Sequence, residues 1–210
     1  MIDDTISLNT GEVAVVGYGS LISREIIGQT LGHDYDGPFV LCNINGWRRS
    51  WNVTMPNAAF YYIEDERRIY PPKILYLNVR RDPNTLMNCS VFVVGPRERD
   101  AMDGREWIFE PTIVTSDLRG LSIEGGDAIM YIGKSDHALQ TSENSHNVAL
   151  RRSFLRSLFG VLDAEGPSVR DEWQRTTDPI PEHLLVDDRL DASRPNPWEA
   201  AGHAFPQSHN

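Results

Sequence analysis

Glu12-Val-Ala-Val-Val-Gly-Tyr-Gly-Ser-Leu-Ile-Ser23 is the stretch around which the chain is organised. Val13 to Val16 form a short apolar run with the β-branched content of a buried strand. The run breaks at Gly17-Tyr18-Gly19-Ser20, and the sequence resumes from Ser23 as a helix. Two glycines spaced by a tyrosine let the backbone turn through conformations closed to most residues and clear room for a ligand. Successive amide N–H groups in such a turn, facing a helix start, form a concave site for oxygen or carboxylate groups. A plain strand-to-helix turn has the same local pattern, so this segment alone leaves both readings open.

Moving outward, Ser23 caps a short helix carrying Ile26, Ile27 and Leu31, which Gly32 ends. Val40, Cys42 and Ile44 alternate as a strand should, and Asn45-Gly46 reads as a hairpin turn into Trp47 to Val53. Ala58 to Ile63, Ile74 to Val79 and Asn88 to Val94 read as further strands. Glu64 to Arg68 and Arg80 to Asn84 are the polar connections between them. Pro96 suits the first turn of a helix that Gly104 ends. Trp107 to Thr115 resumes strand character, and Pro111 places it at an edge or a bulge. Gly125-Gly126 turns into a buried strand from Ala128 to Ile132. Ser145 to Asp163 holds the one long helical pattern, with Val148, Phe154, Leu155, Leu158, Phe159 and Leu162 at helical spacing. From Glu165 the chain becomes rich in proline and aspartate, which predicts a domain over 1–164 and an irregular acidic tail over 165–210. About eight strands, many antiparallel in their connections, with two short helices and one long one, fit an α+β fold on a curved sheet or small barrel.

The composition limits the partners. A formal net charge of −10 over 210 residues disfavours nucleic acid and anionic membranes. Asp3 and Asp4 stand where a signal peptide would carry basic residues, and no apolar run approaches the ~20 residues that span a bilayer. The expectation is a cytoplasmic protein with a small-molecule partner and no membrane association; the sequence leaves the oligomeric state open. Cys42 and Cys89 lie far apart with no CxxC, and read as buried free thiols. The six histidines show no HxH or HExxH spacing, and His183, His203 and His209 fall in the tail, so no metal site is indicated.

Glu106 stands where a helix gives way to a strand, beside Trp107, Ile108 and Phe109. Partial desolvation there raises a carboxylate pKa and suits it to proton transfer near neutral pH. A salt bridge from Glu106 to an arginine, or a solvated rim charge, is the competing reading, and Asp103 can cap or pair locally. With no GxSxG, no P-loop and no Cys–His arrangement, covalent catalysis is disfavoured. A single carboxylate facing a backbone cradle suits proton shuttling on a small substrate.

Four blocks in order resemble the γ-glutamylcyclotransferase superfamily, which includes ChaC-type and AIG2-like proteins. Gly17-Tyr18-Gly19-Ser20-Leu21 resembles its YGSL-type loop, and Gly46-Trp47-Arg48-Arg49-Ser50-Trp51 its glycine–aromatic–arginine segment. Val91 to Val94, then Met102-Asp103-x-Arg105-Glu106, then Trp107-Ile-Phe109 is similar to its strand, acidic motif and aromatic block; Ala128-Ile-Met-Tyr131 resembles its late tyrosine-bearing strand. The match spans about residues 12 to 135.

The resemblance implies a mixed, barrel-like sheet with flanking helices and cyclisation of a γ-glutamyl group to 5-oxoproline, without cofactor or metal. It makes Glu106 the base and then the acid. Tyr18, Gly19, Ser20 and Leu21 become the cradle for the α-carboxylate or oxyanion, and Tyr131 a hydrogen-bond donor lining the pocket. Arg48 becomes a candidate for a substrate carboxylate, with pairing to an acidic neighbour as its alternative. Asn88 and the Thr54 to Pro72 segment depart from glutathione-acting ChaC-type members, so the leaving group stays open among glutathione, a γ-glutamyl amino acid and a γ-glutamylamine. Two other functions compete: a non-catalytic binder of a γ-glutamyl or related acid, and amide or acyl transfer on a larger conjugate.

Overall fold

Two strands much longer than the sequence pattern predicts carry the sheet. The computed structural model describes residues 4–139, 144 and 146–195. In chain order the first elements are β1 (Asp4–Ser7), β2 (Val13–Gly17), α1 (Arg24–Leu31), β3 (Phe39–Pro56), β4 (Phe60–Glu64) and β5 (Arg67–Ile69). There follow β6 (Lys73–Val94), α2 (Pro96–Arg105), β7 (Phe109–Ile113), β8 (Leu118–Arg119), β9 (Leu121–Glu124) and β10 (Ala128–Gly133). The chain continues through β11 (Val148–Arg151), α3 (Arg152–Glu165), α4 (Pro167–Arg175), β12 (Leu185–Val186) and β13 (Arg189–Leu190).

The main sheet runs β12-β11-β6-β2-β10-β7, with β3 paired to β6 and to β8. It is mixed: β2 lies antiparallel to β6 and parallel to β10. The fold is α+β, a curled half-barrel sheet flanked by four helices among the described residues, as expected. The Asn45-Gly46 hairpin is a correction. β3 passes straight through it, with Gly46 at φ +81° absorbing a register shift between Asn45 and Trp47. On the partner strand the pairing skips from Arg81 to Leu86, so the predicted turn at 80–84 is an outswing within β6. Asp82 stabilises that outswing by accepting from the Asn84 amide and the Thr85 hydroxyl. The turn chemistry was read correctly, but both strands keep the same partner across it. The true hairpin of this region lies at Asp65-Glu66, both at positive φ, between β4 and β5.

The helices need three corrections. Gly104 lies inside α2, whose last backbone bond runs from the Glu106 amide to the Met102 carbonyl. The long helix begins at Arg152, because Val148 to Arg151 form β11 beside β6; Ser145 lies outside the described residues. The segment from 165 is not an irregular tail over its described part. Pro167 opens α4, Trp173 is 1% exposed in the main core, and β12 joins the sheet. His203, His209 and the rest of 196–210 lie outside the described residues.

Candidate active site

β2 is buried along its whole length and delivers its C-terminal end to the mouth of the curled sheet. A Cβ added at Gly17 would lie 2.5 Å from the Leu21 carbonyl oxygen and from Ser90 Oγ, so the tight return of the loop requires glycine. The Ser90 hydroxyl donates to that same Leu21 carbonyl at 2.7 Å. Ser20–Ile22 then form a single 3-10 turn leading into α1. None of the Gly19, Ser20 and Leu21 amides donates to a protein acceptor among the described residues. Three backbone donors without a protein acceptor thus belong to residues that line the cavity.

Arg49, from β3, fixes the loop from beneath and is fully buried. Its Nε donates to the Tyr18 carbonyl at 2.6 Å and its Nη1 to Thr176 Oγ1 at 2.7 Å. Its Nη2 donates to the Asn88 carbonyl and to Asn88 Oδ1. Trp173 of α4 adds a second donor to the Tyr18 carbonyl, at 3.1 Å. All of Arg49's hydrogen-bond acceptors are neutral oxygens, and although burial lowers its pKa to about 9 it stays charged at neutral pH. A buried cation behind a row of available amides makes the loop's field favourable to an anion.

Glu106 is the residue that closes α2, and its side chain is only 12% exposed. Burial pushes its pKa above the usual carboxylate range, and the Arg105 guanidinium opposes that shift. Arg105 Nη1 donates to Glu106 Oε1 at 2.6 Å, while its Nη2 donates to Ser20 Oγ at 3.1 Å. One planar guanidinium thus spans from the carboxylate to the loop.

The loop and the carboxylate line one cavity of about 420 Å³, a volume suited to a small-molecule ligand. Tyr18, Gly19, Ser20, Leu21, Glu106 and Tyr131 all contribute to its wall. Tyr131 is present but engaged: its hydroxyl donates to Asp103 Oδ1. Burial, and then that contact, raise its pKa. The Tyr18 hydroxyl donates to the Tyr131 carbonyl at 2.8 Å, tying the two walls together.

Arg48 is not in this cavity wall. It donates to Asp178 Oδ1 at 2.8 Å and to the Thr177 carbonyl at 2.9 Å, so its acidic-neighbour alternative holds. Arg49 and Trp173 receive no role from the sequence, which reads Asp103 only as a local cap or partner and Arg105 only as part of the acidic motif. For Arg49 a signal existed, since Trp47 and Trp51 flank it at two-residue spacing and both are buried. Asn88, noted as a departure, is the acceptor that receives Arg49 and also donates to the Val169 carbonyl at 3.1 Å.

Cys42 and Cys89 face each other across the β3–β6 pair with their sulfurs 3.7 Å apart. Among the described residues no group of His, Cys, Asp and Glu side chains is arranged to hold a metal ion, and no helix is long and apolar enough to cross a membrane.

No family model matches the chain, and neither does any curated protein. Among solved structures it is similar to the solution structure of a protein from Arabidopsis thaliana, with 15% identity and a TM-score of 0.37. The alignment covers 81% of this chain and 88% of that one.

Proposed function

We propose that the protein is a γ-glutamylcyclotransferase-like enzyme, converting a γ-glutamyl compound to 5-oxoproline and a free amine. The observation that carries this reading is the shared cavity. A buried carboxylate with a raised pKa lies across from three available amides, and one arginine connects the two. Glu106 takes a proton from the α-ammonium of the glutamyl group, and the freed nitrogen attacks the γ-carbonyl carbon. Glu106 passes that proton to the departing nitrogen as its bond to the carbon breaks, then takes the second proton from the ring nitrogen and delivers it to the amine, which leaves as an ammonium. Atoms balance without water or an oxidant. The loop amides, with Arg49 behind them, meet the α-carboxylate or the developing oxyanion. Holding the chain folded for ring closure supplies the orientation term. The residue types of the resemblance and their placement around one cavity both support this reading.

The test is a panel of γ-glutamyl compounds assayed for 5-oxoproline with the native protein and Glu106→Gln. The expected result is release from at least one compound and a loss of about 10²–10⁴-fold in the variant. Full turnover by Glu106→Gln would remove Glu106 from the role of base. The Arg105–Glu106 contact favours a second reading, a binder whose carboxylate is held by its arginine and transfers no proton. Ligand-induced thermal stabilisation without 5-oxoproline would select that reading.

A further inference from the structure

The cavity extends well beyond the carboxylate and the loop. Its remaining wall is largely apolar, formed by Met55, Tyr76, Ile108, Phe154, Leu158 and Val161. Into that wall the end of β11 brings one charged residue, Arg151, whose side chain is 12% exposed. Its guanidinium lies 3.7 Å over the Phe60 ring and 6.0 Å from the Tyr76 ring. Its Nε is buried and makes no hydrogen bond of normal geometry, the Tyr76 hydroxyl being the polar group set against it. The nearest carboxylate, Asp188, is 3.9 Å from Nη1, outside hydrogen-bond range. Both oxygens of Asp188 are already engaged, one by the Ser153 amide at 2.9 Å and one by the Ser153 hydroxyl at 2.6 Å. A guanidinium with no carboxylate within hydrogen-bond range keeps donor capacity for an anion in the cavity that it lines. Phe60 and Tyr76 keep the group flat and oriented, which suits the planar recognition of a carboxylate.

We infer that Arg151 is a specificity-determining residue that receives the carboxylate of the leaving group, and that the apolar wall beside it takes that group's side chain. The favoured substrate is then a γ-glutamyl conjugate of an apolar α-amino acid, and conjugates of simple amines are disfavoured. The assignment of ends rests on the cyclisation reading, since it places the glutamyl head at Glu106 and the departing amino acid at Arg151. The class of leaving group follows from the chemistry of the far wall: one cation amid aromatic and aliphatic side chains, with its neighbouring carboxylate Asp188 already held by Ser153.

The experiment compares γ-glutamylphenylalanine with γ-glutamylphenethylamide, which differ only in the carboxylate. Binding is measured by calorimetry on Glu106→Gln and on Glu106→Gln/Arg151→Gln, and 5-oxoproline release on the native protein. The dipeptide is expected to bind about ten-fold or more tightly than the amide, with Arg151→Gln abolishing that preference. Equal affinity for the two ligands on Glu106→Gln overturns the inference without reference to the Arg151 variant, whose folding therefore does not limit the test. A preference that survives Arg151→Gln overturns it as well. Carboxylate-dependent binding without 5-oxoproline leaves the subsite standing and removes cyclisation. Equal release of 5-oxoproline from both compounds does the reverse. No binding of either ligand removes both.

Discussion

Replacing Arg49 by lysine tests whether the loop is held from within the core. Lysine keeps the charge and its desolvation but is a point donor, unable to reach three anchoring sites at once. Arg49 serves the Tyr18 carbonyl, Thr176 Oγ1 and Asn88, so two of these three sites lose their donor. Hydrogen bonds from charged groups contribute about 1.5–3 kcal/mol each, which sets the loss at about 3–6 kcal/mol. The Tyr18 carbonyl retains Trp173, which keeps the figure toward the lower end. For a chain of this size each kcal/mol moves Tm by about 2–4 °C, so a drop of roughly 10 °C is expected. Thermal unfolding followed by circular dichroism measures it, and ligand affinity measured well below the new Tm reports on the loop. A Tm within about 2 °C of the parent, with ligand affinity unchanged, would refute the claim that Arg49 fastens the loop.

On the cyclisation reading proposed above, the pH dependence of turnover follows from Glu106. Because its folded-state pKa is raised, the ionised base is lost earlier on acidification than an ordinary glutamate would be. The acid limb of kcat/KM should therefore lie above the usual carboxylate range, and Arg105→Met, which removes the opposing charge, should move it higher still. A limb at an ordinary glutamate pKa that Arg105→Met leaves in place would contradict this. Gly17→Ala should destabilise the fold by about 1–3 kcal/mol, while Gly19→Ala, whose new methyl meets only Leu77 Cδ2 at 3.4 Å, should have a much smaller effect. Equal urea midpoints for the two variants would show that the return at Leu21 is not tight. Diamide should oxidise Cys42 and Cys89 to a cross-strand disulfide, since their sulfurs are 3.7 Å apart and contact with Cys89 holds the Cys42 thiol below its usual pKa. Mass spectrometry should show a loss of two hydrogens and a linked peptide pair. Two alkylatable thiols after treatment would count against it.

The parts of the fold legible in the sequence were those set by local chemistry. β2 and its loop were read from a valine run and two glycines, and α1 ended where Gly32 adopts φ +78°. The two long strands were not legible, because a bulge glycine and an Asp-Pro-Asn outswing carry the same local signal as a hairpin end. Only the pairing partner distinguishes them, and that is a long-range fact. The tail was misread for a related reason. Its composition predicted an irregular segment, but Trp173 is buried by packing on Trp51 and Phe159, residues more than ten positions away in sequence. At the site, adjacent arginines on one strand point to opposite faces, so choosing Arg48 over Arg49 was a choice of face. The buried tryptophans two residues to either side of Arg49 decide that face.

The Arg105–Glu106 contact is the competing explanation for Glu106, and the direction of the carboxylate's shift bears on it. A salt bridge that only stabilises the fold holds its carboxylate below the ordinary range, because the cation outweighs burial. Here burial outweighs the cation, and the pKa stays raised even with a guanidinium nitrogen 2.6 Å away. Such a carboxylate accepts a proton more readily than an ordinary surface glutamate, which suits the shuttle proposed above. The same guanidinium also holds the Ser20 hydroxyl, so a change in Glu106's charge is felt at the loop that would hold the anion. On the cyclisation reading proposed above, Arg105 is then a positioning residue between the carboxylate and the loop, and the salt bridge and the proposed proton shuttle are parts of one arrangement.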